Sequence, residues 1–193
     1  MKSFRNYLNR YVSKLVSDEE FDTIISHFTY KKIGRRDYLL EQGEISKHLA
    51  FILKGAMRKY YIDNKGKEYV VDLYIENWWP EDRESYVLET PSVYNIEAWE
   101  NCELLLITKE DTVQLSKKCP VFTEMLLRLD ERNKIATQKR ITSTISSAAK
   151  DRYDDFVKSY PEFLQRFPQH IIASYLGITK DTLSRVRKQA FKG

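Results

Sequence analysis

The sequence predicts an α+β protein: N-terminal helices and a double-stranded β-helix (jelly roll), then one long helix and a small C-terminal helical module. Three observations predict it. Apolar residues recur at helical spacing through the first thirty residues, at Leu8, Tyr11, Val12 and Leu15 and again at Phe21, Ile24, Ile25 and Phe28. From about residue 31 to 108 the chain breaks into short β-branched and aromatic runs separated by turn residues, the pattern of a small antiparallel roll. From Lys109 onward helical spacing returns, with no glycine or proline between Pro120 and Pro161.

Each element has its own signal. Ser17-Asp18-Glu19-Glu20 reads as a capping box with acids in the first turn of the second helix. The strand candidates are Tyr38–Leu40, Leu49–Leu53, Met57–Ile62 and Glu68–Tyr74, followed by the last strands within Tyr94–Ile107. Gln42-Gly43, Lys54-Gly55 and Asp63-Asn64-Lys65-Gly66 supply the turns. Pro120 can open a helix whose apolar face runs through Val121, Phe122, Met125, Leu126 and Leu129, then less cleanly through Ile135, Ala136, Ile141 and Ile145. A helix from Asp151 to Tyr160 turns Tyr153, Phe156 and Val157 inward and closes before Pro161. The spacing divides the chain into residues 1–145, ending in the long helix at about 119–145, and a second module at 146–193.

Residues 169–188, QHIIASYLGITKDTLSRVRK, are the most informative stretch. Ile172, Ala173 and Leu176 share the apolar face of one short helix, and Gly177 ends it where a positive φ is needed. Ile178 anchors the turn, Thr179 can cap the next helix, and Leu183 and Val186 point that helix inward. Left outside are Thr179, Lys180, Asp181, Thr182, Ser184, Arg185, Arg187 and Lys188. These short hydrogen-bonding side chains and cations have the chemistry needed at base edges and phosphates. An ordinary αα-hairpin would share the spacing, but charge argues separately for a polyanion. The last 25 residues hold five basic side chains against Asp181, whereas the other 168 carry 27 basic and 27 acidic groups.

No apolar run approaches the roughly 18 residues of a membrane span, and the N-terminus lacks a signal-peptide stretch, so a cytoplasmic protein is expected. Cys102 and Cys119 show no CxxC spacing and cannot alone ligate a cluster or a zinc ion. His27, His48 and His170 fall in three different elements, which argues against a cupin-like metal enzyme; haem sensing would leave only His48, Met57 or Cys102 as axial candidates. No phosphate-binding loop, dinucleotide fingerprint or nucleophile elbow occurs. Neither catalysis, a cofactor nor a metal is expected.

The order of elements, the strand–turn–strand segment Phe51–Tyr60, the turn Asp63–Glu68 and the terminal helix pair resemble the Crp/Fnr family of bacterial transcription regulators (cyclic-AMP receptor / fumarate-nitrate regulator). The terminal pair resembles the DNA-binding helix-turn-helix. The resemblance implies a cyclic-nucleotide-binding-like sensor domain, a homodimer joined through the long helix, and double-stranded DNA as partner, with RNA polymerase a further one. A twofold dimer implies an inverted-repeat operator with half-sites one turn of duplex (about 34 Å) apart. Lys180, Asp181 and Arg185 match the base-reading positions; Arg185 suits a guanine and Asp181 a cytosine N4, whereas Thr179, Thr182, Arg187 and Lys188 suit phosphate or sugar. Asn133, on the apolar face, could fix register between paired helices. The chain closes soon after the recognition helix, so contacts from a β-wing are not expected.

The roll departs from the cyclic-AMP pattern. Members that bind the nucleotide carry a glycine–glutamate pair and, further on, an arginine followed by serine or threonine. Counting back from Cys102-Glu103-Leu104, the pair falls on Glu81-Asp82 and the arginine on Ser92, followed by Val93. Residues 80–103 also hold seven acids against one base, Arg83. An uncompensated like charge a few ångströms from a phosphate costs about 1 kcal/mol. Cyclic AMP and cyclic GMP are therefore not expected to bind in the usual manner. Asp82, Ser92 and Tyr94 remain the candidate pocket residues for an unknown small-molecule effector, cationic or aromatic given Trp78, Trp79, Trp99, Tyr86 and Tyr94, although those rings could equally be core. A competing reading is a roll-containing regulatory or scaffolding module that binds a small ligand or protein partner without sequence-specific DNA binding.

Overall fold

A computed structural model describes residues 1–190 of the chain. Two helices lead in, α1 (Lys2–Arg10) and α2 (Asp18–Ser26). Ser17 caps α2 through the expected box: its hydroxyl accepts from Glu20 N–H while the Glu20 carboxylate accepts from Ser17 N–H. Helix α1 is shorter than its apolar spacing predicts. It stops at Arg10, the Asn9 side-chain Oδ1 accepts from Val16 N–H, Ser13 N–H reaches Glu124, and Leu15 is left exposed rather than on an apolar face. The two helices cover one end of the roll, where Phe4 meets Phe28 and Phe51 at ring distances of 5.1 and 4.8 Å.

The roll is two antiparallel sheets. One orders β1 (Thr29–Ile33), β7 (Cys102–Thr108) and β3 (His48–Lys54) as β1-β7-β3. The other orders β2 (Tyr38–Leu40), β6 (Tyr94–Ala98), β4 (Met57–Ile62) and β5 (Glu68–Tyr74) as β2-β6-β4-β5. Strand β1 begins two residues before the helical spacing gives way, at Thr29, because its register against Leu106 to Cys102 fixes Ile33 inward. Between the sheets Ala50, Ile52, Met57, Ile96, Ala98 and Leu104 form a core that excludes water almost completely. A short helix, α3 (Arg83–Leu88), lies between β5 and β6 in the chain.

Beyond the roll come α4 (Lys109–Lys118) and the long helix α5 (Pro120–Ser146). Val121, Phe122 and Met125 are buried, with Leu126 and Leu129 packed against the same core as α1. This face is therefore consumed within the chain. The exposed apolar residues of α5 are others: Leu127, Ile135, Ile141 and Ile145. Leu127, Ile141 and Ile145, with Lys134 and Gln138 among them, fall at heptad a and d spacing on the side away from the roll. Asn133 does not belong to that stripe. It faces its own roll, its amide 3.5 Å from a Glu81 carboxylate oxygen, because three residues separate it from Asp130 and four from Leu129 on the inward side.

The remaining helices, α6 (Ala149–Ser159), α7 (Phe163–Arg166), α8 (Gln169–Tyr175) and α9 (Lys180–Ala190), lie on the outer face of the four-stranded sheet. Strand alternation, with the register shift that leaves Val71 unpaired, sends Tyr60, Val70 and Leu73 to that face, where they join Phe156, Phe163, Ile171 and Ile172 in one apolar cluster. Polar ties reinforce it. Val70 N–H donates to Ser174 Oγ at 2.9 Å, and Trp99 Nε1 donates to the Arg166 carbonyl at 3.1 Å. The Arg166 guanidinium then clasps Glu76 at 3.0 and 3.2 Å and Glu100 at 2.6 and 2.7 Å. From α5, Arg140 reaches Asp72 at 3.0 Å and lies 4.9 Å from the Tyr175 ring centre. Among the described residues no helix is long and apolar enough to cross a membrane.

Candidate nucleic-acid interface and ligand site

Helices α8 and α9 pack together around a glycine turn whose hydrogen bonds explain its sequence. Gly177, at φ +66°, donates to the Ser174 carbonyl, and Ile178 N–H reaches back to the Ala173 carbonyl, both at 3.0 Å. This pair of bonds closes α8 with a left-handed residue, a position that glycine fills without strain. Thr179 Oγ1 then accepts from Thr182 N–H at 3.1 Å and caps α9. Leu183 and Val186 are buried against α6 and α8.

The residues opposite are open. Thr179, Lys180, Asp181, Arg185 and Lys188 are exposed; Thr182, Ser184 and Arg187 are half-buried. Among the described residues no carboxylate pairs with Lys180, Arg185, Arg187 or Lys188; the one contact of the Arg185 guanidinium is Thr182 Oγ1 at 3.3 Å. The α9 face is a hydroxyl-rich cationic surface mounted on a rigid support.

The candidate pocket residues come together, but as a closed set. Asp82 is buried and caps α3, its carboxylate 3.5 Å from Ser85 N–H. Ser92 Oγ lies 2.6 Å from the other Asp82 oxygen and accepts from Tyr94 N–H at 3.0 Å. Tyr94 carries Lys59 Nζ 4.5 Å from its ring centre, and that ammonium donates to the Glu81 carbonyl at 3.1 Å. Burial, which outweighs the neighbouring Arg140 and Lys59 cations, raises the Asp72 carboxyl; burial likewise raises Glu81 above its ordinary range.

The acidic run does not ring one site, contrary to the sequence reading. Strand alternation turns Glu97 to the outer face, where it accepts from Arg58 at 2.7 and 3.1 Å; Glu100 binds Arg166, and Glu89 binds Lys109. The aromatic rings also divide. Trp79 is core, Trp78 packs against Tyr160 and Phe163, and Tyr86 bonds Thr112. A separate cavity of about 150 Å³ lies between α3, α4 and α5, lined by Trp79, Glu81, Arg83, Leu126, Asp130 and Asn133. Among the described residues no three His, Cys, Asp or Glu side chains gather to hold a metal ion.

Spacing alone missed the Arg166 clasp, the Arg140–Asp72 pair and the arginines of the β1–β2 turn. Each joins segments far apart in the chain, so no local pattern announces it.

The family of sequences described as "Cyclic nucleotide-binding domain" matches residues 30–119. Residues 30–119 are thus similar to that domain family. The matched stretch takes in the roll from the second residue of β1, with α3 and α4. No curated protein matches the sequence. Solved structures match over nearly the whole chain. The catabolite activator protein of Thermus thermophilus is 20% identical, with 96% of this chain and 87% of that one covered and a TM-score of 0.60. FixK2 of Bradyrhizobium japonicum is 15% identical over 86% and 85%, with a TM-score of 0.67. CLP of Xanthomonas campestris, a c-di-GMP-responsive global regulator, is 14% identical over 91% and 92%, with a TM-score of 0.66. The roll, the long helix and the C-terminal helices thus share the fold of these three solved proteins.

Proposed function

We propose that the protein is a DNA-binding transcription regulator of the Crp/Fnr type, acting as a homodimer through α5 and inserting α9 into the major groove. The observation that carries this reading is the unpaired cationic face of α9, held outward by buried Leu183 and Val186. Side chains with no carboxylate partner keep their full charge for phosphates and base edges. Arg185 and Asp181 are the base-reading groups, with Lys180; Thr179, Thr182, Ser184, Arg187 and Lys188 serve the backbone. The exposed Leu127, Ile141 and Ile145 stripe supplies the dimer seam.

The test is selection of bound genomic fragments followed by gel retardation. Wild-type protein is expected to retain inverted-repeat fragments, and the Lys180→Glu/Arg185→Glu variant to lose all sequence-selective retardation. Arg185→Ala alone should cost about 1–3 kcal/mol and relax preference at one base pair. A protein that shifts no fragment at modest salt would instead favour the scaffolding reading.

We further propose that cyclic AMP is not the effector. Asp82 and Ser92 satisfy each other, and the Lys59 ammonium over the Tyr94 ring is engaged by the Glu81 carbonyl. Calorimetry with cyclic AMP or cyclic GMP is expected to show no micromolar binding, and binding at that level would overturn the proposal.

A further inference from the structure

A second cationic feature lies outside α9, where the roll meets the helix-turn-helix. Between the β1–β2 turn and α8 is a cleft of about 280 Å³, lined by Arg35, Arg36, Arg58, Trp99 and His170 together with Glu68 and Glu97. The two glutamates are already engaged: Arg58 binds Glu97 at 2.7 Å and Glu68 at 2.6 Å. Arg35 and Arg36 are exposed, and among the described residues neither pairs with a carboxylate. Their mount is fixed. Arg35 N–H donates to Asn101 Oδ1 at 2.9 Å, Arg36 N–H to the Ala98 carbonyl at 2.8 Å, and Asp37 N–H to the Gly34 carbonyl at 3.0 Å. Arg36 itself sits at φ 74°, a conformation arginine seldom adopts without support from its surroundings. The Arg35 guanidinium is steadied 5.9 Å from the Trp99 ring centre.

We propose that this cleft binds phosphodiester groups of duplex DNA flanking the bases read by α9, so that the roll extends the footprint of the helix-turn-helix. The inference rests on the DNA-binding reading above. In helix-turn-helix docking the first helix crosses the sugar–phosphate backbone while the second enters the groove. Here the first helix is α8, and its His170 lines the same cleft as Arg35 and Arg36. A duplex seated on α9 therefore runs past the open side of the cleft, and the two free guanidinium groups complement its charge.

The experiment compares Arg35→Gln/Arg36→Gln with wild type on a selected genomic operator, once with long flanks and once trimmed to the bases under the recognition helices. Glutamine keeps the side-chain length and removes the charge. On the long duplex the variant is expected to bind about 10-fold more weakly near physiological salt, with the salt slope reduced by about two, one unit per lost phosphate contact. On the trimmed duplex the two proteins are expected to bind alike. Equal losses on both duplexes, or an unchanged slope on the long one, would overturn the proposal. Inorganic phosphate serves as a second probe: a phosphate-dependent rise in melting temperature abolished by the variant, with DNA binding intact, would overturn it in favour of a free-anion site. If wild type itself binds no duplex selectively, while Lys180→Glu/Arg185→Glu changes nothing, the underlying reading falls as well.

Discussion

Replacing Gly55 with alanine is expected to destabilise the protein by about 3–5 kcal/mol, lowering the melting temperature by about 10 °C. Gly55 closes the β3–β4 turn at φ +104°. A Cβ built there would lie 2.6 Å from the Asn101 carbonyl oxygen, 2.7 Å from Cys102 Sγ and 2.9 Å from Cys102 Cα. Two of the three obstacles are backbone and cannot swing away. The left-handed conformation adds its own cost for any L-residue. Gly66 provides the control: its φ is +78°, but nothing lies within 4 Å of a built Cβ. Gly66→Ala should therefore show the conformational penalty alone, about 1 kcal/mol. Thermal melts in which the two variants behave alike would refute the steric account.

The second large effect is expected at Arg166. Its guanidinium donates four hydrogen bonds to Glu76 and Glu100, and removing it as Arg166→Met leaves two carboxylates facing each other in a half-buried joint. Because 26% to 37% of each of these side chains is open to solvent, the loss is discounted to about 2 kcal/mol. The pH dependence gives the sign. Burial would raise the Glu76 carboxyl, but hydrogen bonds from Arg166 and from Gly55 N–H outweigh it and hold the group below its ordinary 4.5. A carboxyl depressed by folding contributes stability above its unfolded value and loses that contribution as the pH falls through the folded one. The gap between wild type and Arg166→Met should thus be full at neutral pH and close below about pH 4.5, as read by denaturant melts across that range. A gap independent of pH would show that Arg166 acts through packing alone.

The elements that were legible in the sequence are those whose signals are local. The Ser17 box, the Gly177 turn, the Thr179 cap and the Leu183–Val186 face all rest on residues within one turn of each other, and each has the hydrogen bonds or burial its spacing implies. The assignments that shifted depended on which neighbour a surface meets. Helical spacing in α5 is satisfied by several faces; the roll took the one with Phe122, Met125 and Leu129 and left Leu127, Ile141 and Ile145 outside. Asn133 moved for the same reason. The acidic run looked like one field because strand alternation is invisible to a charge count, yet successive residues lie on opposite faces of β6. The Asp82–Ser92 pair lay at the positions counted from Cys102, but their mutual bond required α3 and β6 to be set side by side.

The seating of α8 on β5 carries one more consequence. Strand β5 is the outermost of its sheet, and the bond from Val70 N–H to Ser174 occupies a donor that would otherwise point into solvent. Severed after Ser146, the roll would bare that ribbon of backbone together with Tyr60, Val70 and Leu73, an oily margin able to recruit strands from other molecules. The terminal helices are thus also a bung against self-assembly.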